Sequence, residues 1–453
     1  MKIKQISVNG LLGIFDHVIP LNMDDRITII HGPNGFGKTA MLRMLSGFFN
    51  SQYSVFRNIP FIKFKVEFDD SSSVEVVKIS EDSEKQKKKE QININFYESN
   101  SEKISFSSKN VKNDLGNDFP ISILDELIPE ISRIGPRIWR HLVTGETLSL
   151  DDVINKFEDL LPSKMKLRDE PEWLSNLKNN IYIRLIESQR LLNISPSSSS
   201  RNYSSSPSML PTVSAYSDEL AQLIKSKLAE YGTTSQSLDR TFPARVVQQK
   251  TVPDLKVEQI LHQLKNLEES RSRLIEVGLL DKDDNSDFQI NPEAKDIDDS
   301  TKNILSVYVE DVEKKLSVFN EVADKIELLQ RIINSKFAYS SKEMSFNKEK
   351  GFVFKTPYNY LSNTDNLSPT DLSSGEQHEL VLLYELLFKV KSNSLVLIDE
   401  PELSLHVGWQ SQFLKDLQDI IKVANLDILM ATHSPDIIQD RWDLTVELKG
   451  RVK

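Results

Sequence analysis

The 453-residue chain has no cysteine and only seven histidines. Disulfides and thiolate metal sites are therefore excluded, and no His/Cys cluster with metal-ligand spacing is present. No stretch approaches the roughly 18 to 20 unbroken apolar residues that a membrane helix needs. The first residues, Met1 to Phe15, alternate polar and apolar and lack the apolar block of a signal peptide. They read as a strand, and the cytoplasm is the expected compartment. A basic excess is missing too: 67 acidic against 56 basic residues give a formal charge of −11. Proteins that wrap nucleic acid draw affinity from neutralising phosphates, so bulk charge gives DNA binding no support. At 39% hydrophobic and 27% charged residues, the composition is that of an ordinary globular protein, long enough for two or three structural units.

The organisation expected from patterning is α/β. Lys2 to about Phe68 alternates in period two, and the apolar run Ile27–Ile30 reads as a buried strand. Short β-type stretches continue to about Phe106, interrupted by a polar run, Glu81–Glu90, expected to be a solvated hairpin tip. Residues from about 118 to 180 read as helical, with Trp139 and Trp173 as single core residues. Ile181–Ile186 reads as a strand, and Ser195–Ser208 as a serine-rich linker that cannot bury apolar area. A helix is expected from Asp218 to about Tyr231. Two apolar seams follow, Val257, Ile260, Leu264, Leu267, Arg271, Leu274 and then Val309, Val312, Leu316, Phe319, Val322, Ile326, Leu329, Ile333. Their alternating spacing of three and four predicts an antiparallel helical hairpin, either an ordinary helical subdomain or a dimerising, partner-docking arm. The expected division is 1–192, a flexible linker 193–215, a helical insertion 216–339, and 340–453.

Chemistry enters with Gly32-Pro33-Asn34-Gly35-Phe36-Gly37-Lys38-Thr39, which matches G-x-x-x-x-G-K-[ST] between a strand and a helix. Such glycines let backbone N–H groups turn around a β-phosphate, while the lysine meets β- and γ-phosphate oxygens and the threonine hydroxyl meets Mg²⁺. Ser394 to Glu402 is an apolar strand ending in acids. Asp399 would hold Mg²⁺ through water, and Glu400 would orient and polarise an attacking water. Leu372-Ser373-Ser374-Gly375-Glu376-Gln377 precedes that strand by about twenty residues and has the form of the signature L-S-G-G-Q. Ser373, Gly375 and Glu376 are its expected nucleotide contacts; a bare helix cap is the alternative reading. Thr432-His433-Ser434-Pro435 follows another apolar run, with His433 the expected γ-phosphate sensor. Ser404-Leu405-His406 occupies the position of the D-loop. Gln189, at the end of a strand, is the expected glutamine that reaches nucleotide and Mg²⁺.

In this order the motifs resemble those of ABC-type ATPases, over residues 1–110, 180–192 and 350–445. The P-loop start, the helical insertion after Gln189 and the late signature resemble the SMC/RecF/OLD branch. Asp399-Glu400-Pro401-Glu402-Leu403-Ser404-Leu405-His406 and Ala431-Thr432-His433-Ser434-Pro435 are similar to OLD-like ATPases of bacterial defence. Ile186–Leu192 and Ser235–Pro243 resemble the stand-alone ATPases of antiphage systems, AriA of PARIS first and PtuA of Septu next. The resemblance implies a P-loop ABC-type ATPase head, a mixed sheet with an antiparallel β lobe, and a short coiled-coil hairpin. It also implies ATP with Mg²⁺, a homodimer through the heads or a higher homo-oligomer such as a hexamer, and a phage-encoded trigger protein. The effector would be a separate nuclease, of TOPRIM type or HNH type. The twenty residues after His433 are too few for a TOPRIM domain of the chain's own. The competing expectation is a RecF-like ATPase that clamps duplex DNA; a transport ATPase is a distant third.

Overall fold

The computed structural model describes residues 1–81, 89–98, 103–108, 131–142, 147–150, 170–187, 192–193, 210–248, 257–281, 298–356 and 366–450, with a few isolated residues between them. The chain divides into two compact units. One is formed by Met1–Gln189, Pro196–Pro207 and Val390–Lys453, the other by Arg190–Ser195 and Ser208–Lys389.

The first unit opens with strands β1 (Ile3–Leu11), β2 (Phe15–Pro20) and β3 (Ile27–His31), then helices α1 (Lys38–Phe49) and α2 (Ser54–Asn58). Strands β4 (Lys63–Phe68), β5 (Ser73–Glu81), β6 (Lys89–Tyr97) and β7 (Lys103–Ser108) follow. With β1 and β2 they form an antiparallel sheet in the order β2-β1-β4-β5-β6-β7. β4 alternates strictly, its phenylalanines and valine inward and its lysines and glutamate outward, which fixes its register. The polar run joining β5 to β6 lies largely outside the described residues.

Next come β8 (Ile131–Gly135), β9 (Ile138–His141) and β10 (Thr147–Ser149), a three-stranded antiparallel sheet. This corrects the helical expectation for 118–180 over residues 131–149; α3 (Glu172–Asn179) agrees with it, and much of the rest of that stretch lies outside the described residues. The reason is local: Gly135-Pro136-Arg137, with Arg137 at φ 62°, is a turn, and it reverses two β-branched stretches over the buried Trp139. Strand β11 (Ile183–Ile186) closes this stretch.

The second unit contains the two-residue strands β12 (Leu192–Asn193) and β13 (Leu210–Pro211) and the 37-residue helix α4 (Thr212–Gln248). Burial along α4 ends at Ile224, after Val213, Tyr216 and Leu220, and the expected helix from Asp218 to about Tyr231 is an internal piece of this longer one. The serine-rich tract lies outside the described residues. Helices α5 (Val257–Glu276), α6 (Asp299–Ser317) and α7 (Asn320–Phe337) follow. The seam on α5 packs along α6. The second expected helix is interrupted at Val318–Phe319, yet its seam runs on through buried Leu316, Phe319 and Val322. Arg245 clamps α4 to α6 through Asp311, and Arg273 clamps α5 to α7 through Asp324 and Glu327. Strands β14 (Glu343–Asn347), β15 (Gly351–Lys355) and β16 (Asn366–Leu367) form an antiparallel sheet, and helix α8 (Ser374–Tyr384) runs into one π-helical turn, Glu385–Lys389. Because these strands pack on α4 and α7, the second unit extends to Lys389 and includes the signature, rather than ending at 339.

The chain then returns to the first unit with β17 (Leu395–Asp399), α9 (Val407–Ala424), β18 (Asp427–Ala431), α10 (Pro435–Ile438) and β19 (Thr445–Glu447). Here the sheet order is β11-β17-β18-β3-β19, parallel throughout. All five residues of β17 are buried, as expected of a central parallel strand covered on both faces. The antiparallel strands thus form a sheet of their own, sharing one core with the parallel sheet through Met41, Leu45 and Phe48 of α1. No described helix is long and apolar enough to cross a membrane.

Candidate functional site

Three of the motif segments leave the parallel sheet at the C-terminal ends of their strands, after β3, β17 and β18, where an open α/β sheet offers its binding crevice. After β3 the chain forms the Gly32–Gly37 loop. Gly37 caps α1 at φ 87°, a conformation that favours glycine, and a Cβ there would lie 2.4 Å from Leu11 Cδ2 and push that side chain aside. No side chain caps α1, which leaves its first-turn N–H groups directed at the loop. The loop is gripped at Phe36: His17 Nε2 donates to its carbonyl at 2.9 Å, and Phe15 packs against its ring at 4.9 Å. Burial pushes the His17 imidazole below its usual range, against the pull of that bond and of Asp16, so the ring stays a neutral clamp.

Lys38 is the first residue of α1, and its ammonium donates to the carbonyls of Gly32 (2.8 Å) and Pro33 (3.2 Å). A third contact joins Lys38 Nζ to His433 Nδ1 at 3.4 Å. Burial lowers the Lys38 pKa, opposed by Glu400, Glu402 and Asp399. Thr39 donates its hydroxyl to Asp399 Oδ1 at 3.1 Å. Asp399 ends β17 almost fully buried; desolvation raises its pKa and Glu400 adds to the rise, while the Thr39 bond and Arg43 oppose it. Arg43, one helical turn along α1, pairs with Glu187 at the end of β11 at 3.1 Å. Gln189, two residues further on, lies outside the described residues.

Glu400 sits at φ 44°, ψ 59°, a left-handed conformation that costs a non-glycine residue on the order of 1 kcal/mol or more and concentrates at functional sites. Its Oε1 stands 3.4 Å from His433 Nε2, a close contact without hydrogen-bond geometry. Since the Lys38 ammonium can only donate, Nδ1 of His433 is the acceptor in that contact, and Nε2 is the ring nitrogen beside Glu400. The histidine thus bridges the P-loop lysine and the acid after β17.

The switch loop itself is held by Glu402, a residue to which sequence reasoning attached no role. Its two oxygens accept the Thr432 hydroxyl (2.9 Å) and the His433 backbone N–H (2.6 Å). Ser434 donates to Gln410 of α9 at 2.6 Å. The only signal in the sequence was Glu402's place two residues after Glu400. In the Ser404-Leu405-His406 segment, Leu405 is buried and His406 caps α9 by accepting from Gly408 N.

In the second unit, the signature residues stand at the start of α8. Ser373 is the N-cap; Ser373 and Ser374 are exposed, and a Cβ on Gly375 would meet nothing within 4 Å. Ser373 and Glu376 spend their N–H groups on each other's side chains, while the surface over Ser374 and Gly375 is open. Glu376 departs from the expectation that it contacts nucleotide. Its side chain turns inward and accepts from Ser373 N–H (2.8 Å), Ser373 Oγ (2.9 Å), Ser340 Oγ (2.7 Å) and Lys342 Nζ (2.7 Å). A buried carboxylate needs such partners, and these all come from the protein.

Among the described residues no group of three or more His, Asp or Glu is disposed to hold a metal ion alone. Mg²⁺ is commonly held by one or two carboxylates and otherwise by phosphate oxygens and water, and the buried Asp399 carboxylate with the Thr39 hydroxyl fits that donor set.

A family model described as "AAA ATPase domain" matches residues 1–438. The chain is 41% identical over 69 residues to "Protein ea59" of Escherichia phage lambda, covering 15% of this chain and 13% of that one. It is 25% identical over 186 residues to the "Retron Ec83 probable ATPase" of Escherichia coli, covering 35% of this chain and 34% of that one. The matches thus span about a third or less of these relatives' length. Among solved structures, an Smc head domain with an extended coiled coil, bound to the C-terminal domain of ScpA, from Pyrococcus furiosus, aligns over 99% of this chain and 94% of that one. Identity there is 12% and the TM-score 0.32.

Proposed function

The chain belongs to the AAA ATPase domain family, and on that premise we propose that it is an ABC-type ATPase whose active site is completed by a second copy. The observation that carries this reading is the convergence of Lys38 and Glu400 on the two nitrogens of His433, at the mouth of a parallel sheet. In this reading ATP is the substrate. The N–H groups at the start of α1 and the Lys38 ammonium take the β- and γ-phosphates. Asp399 and Thr39 hold Mg²⁺, which supplies charge neutralisation between phosphates. Glu400 orients the attacking water, and His433 reports whether the γ-phosphate is in place.

The exposed start of α8 lies in the second unit, and in this proposal its N–H groups and Ser373 meet the γ-phosphate bound by the other copy. Hydrolysis then requires a pair of heads, and ATP binding becomes a signal that two copies have met. A mixture of Lys38→Ala and Ser373→Arg proteins, each inactive alone, tests this: a mixed pair keeps one intact site and should regain part of the activity. Mixed pairs demonstrated to form but inactive would sink the shared site.

At the level of biology, the reading is a sensor and scaffold ATPase of an antiphage system, which oligomerises and holds or activates a separately encoded nuclease. Its support is the resemblance carried by Asp399–His406, Ala431–Pro435 and Ser235–Pro243, together with the partial similarity to a retron ATPase. The Ser235–Pro243 stretch lies on the exposed half of α4, where a partner could read it. The second reading, a RecF-like clamp on duplex DNA, would be favoured by salt-dependent DNA binding of the purified chain. Copurification with the product of an adjacent nuclease gene, dependent on an intact P-loop, supports the first.

A further inference from the structure

We propose that Glu376 is a positioning residue for the signature serine, and that Lys342, at the exit of the helical insertion, is its anchor. This deepens the reading above and rests on it. The buried Glu376 carboxylate closes a capping box with Ser373, accepting from both its N–H and its hydroxyl, while the Ser373 oxygen accepts from the Glu376 N–H at 3.4 Å. A capping box alone would satisfy the helix start. Here the same carboxylate is also held from outside the helix, by Ser340 Oγ and Lys342 Nζ at 2.7 Å each, so the Ser373 hydroxyl is tied through it to the segment between α7 and β14 that carries both residues.

The preceding turn is fixed as well. Ser368 and Asp371 form a second capping box directly before the signature, and Gln377 donates to the carbonyls of Thr370 (3.2 Å) and Leu372 (2.8 Å). One turn into α8, the fully buried pair Lys336 and Glu379 ties the helix to α7. Two lysines of one segment, Lys336 and Lys342, thus grip two glutamates of α8 one turn apart, and only the Glu376 grip reaches a signature residue. Charge explains why an acid stands here. An amide at 376 offers one acceptor oxygen where the site supplies four donors, whereas a carboxylate offers two oxygens and compensates the half-buried Lys342 ammonium.

The test uses the full chain and six variants, Glu376→Ala, Glu376→Gln, Lys342→Met, Ser373→Arg, Ser373→Ala and the Ser373→Ala/Glu376→Ala double, with MgATP affinity and steady-state hydrolysis as readouts. Glu376→Ala should cut kcat by about ten- to a hundredfold, the range seen when an active-site group is displaced by about 1 Å, with MgATP affinity of the P-loop unchanged. Glu376→Gln, which keeps one acceptor oxygen for Ser373 but no charge for Lys342, should restore part of the lost kcat, and Lys342→Met should lose several-fold by about the same mechanism. In a Ser373→Ala background Glu376→Ala should add little, since both act through one hydroxyl. Full additivity in that background, or a kcat loss that merely follows the fall in melting temperature, overturns the positioning role. If Ser373→Arg itself leaves hydrolysis intact, the shared-site reading fails, whatever Glu376 does.

Discussion

Glu402 holds His433 by its main chain: one carboxylate oxygen takes the His433 N–H at 2.6 Å, and the other takes the Thr432 hydroxyl at 2.9 Å. The imidazole that spans Lys38 and Glu400 is therefore aimed by a third acid that touches neither nitrogen of the ring. Glu402→Ala leaves the His433 N–H without its acceptor and frees the loop. The expected result is a loss of about tenfold or more in hydrolysis, since positioning of this kind carries one to two orders of magnitude, with ATP affinity little changed. Equilibrium binding of a fluorescent ATP analogue and single-turnover hydrolysis separate the two; parental hydrolysis in Glu402→Ala would remove the role.

Glu400 and Lys38 should fail differently. Glu400→Gln keeps the P-loop contacts and the Mg²⁺ donors but loses the carboxylate that draws on the attacking water. ATP should bind normally, while hydrolysis slows by about 10²- to 10⁴-fold, the usual worth of a positioned general base. Lys38→Ala should weaken nucleotide binding itself. Sedimentation with ATP adds a second readout: Glu400→Gln should accumulate as ATP-bound pairs, and Lys38→Ala should not pair.

The chemistry of the P-loop was legible because it is local. Gly32 to Thr39 must follow a buried strand and open a helix, and Ile27–Ile30 and the run after Thr39 supply both. The acids after Leu395–Ile398 and the histidine after Ile428–Ala431 were legible for the same reason, each at the end of an apolar run. What depended on distant partners was not. The 131–149 sheet reads as helix until Arg137 is seen in a left-handed turn over Trp139. The break at Val318–Phe319 has no glycine or proline to announce it, and the seam continues across it. Glu376 reads as a ligand contact until Lys342, 34 residues earlier, is found beside it. Glu402 had the same problem, since its partners arrive 30 and 31 residues later.

The buried Lys336–Glu379 pair predicts an asymmetry in stability. Both side chains are fully excluded from solvent, and among the described residues Oε2 of Glu379 has no hydrogen-bond partner. Glu379→Ala removes the carboxylate that the buried Lys336 ammonium meets and should cost about 3–5 kcal/mol in urea unfolding. Replacing both by apolar residues of similar volume, Lys336→Met with Glu379→Leu, should cost far less and can stabilise. Equal losses in the single and double variants would mean that the pair contributes through shape rather than charge.

Asp399 predicts a conflict between stability and activity, with its own pH signature. Burial, the dominant cause, raises its carboxyl pKa, and Glu400 adds to the rise. A raised folded-state pKa means the native protein holds this proton more tightly than the unfolded chain. The favourable contribution is thus complete below the unfolded pKa, about 4 for an aspartate, and is lost as the pH climbs through the folded value. At neutral pH the ionised carboxylate is a burden on the fold, one that Mg²⁺ bound with nucleotide would relieve. Asp399→Asn keeps an oxygen to accept the Thr39 hydroxyl and removes the charge. It should therefore unfold at higher denaturant than the parent at pH 7, by on the order of 1 kcal/mol, as stabilising changes at active sites commonly do, while Mg²⁺-dependent hydrolysis disappears. The advantage should shrink toward pH 4, where the parental aspartate takes up its proton. A variant that is less stable than the parent at pH 7 would mean that the bond from Thr39 to a charged acceptor outweighs the cost of burying the charge.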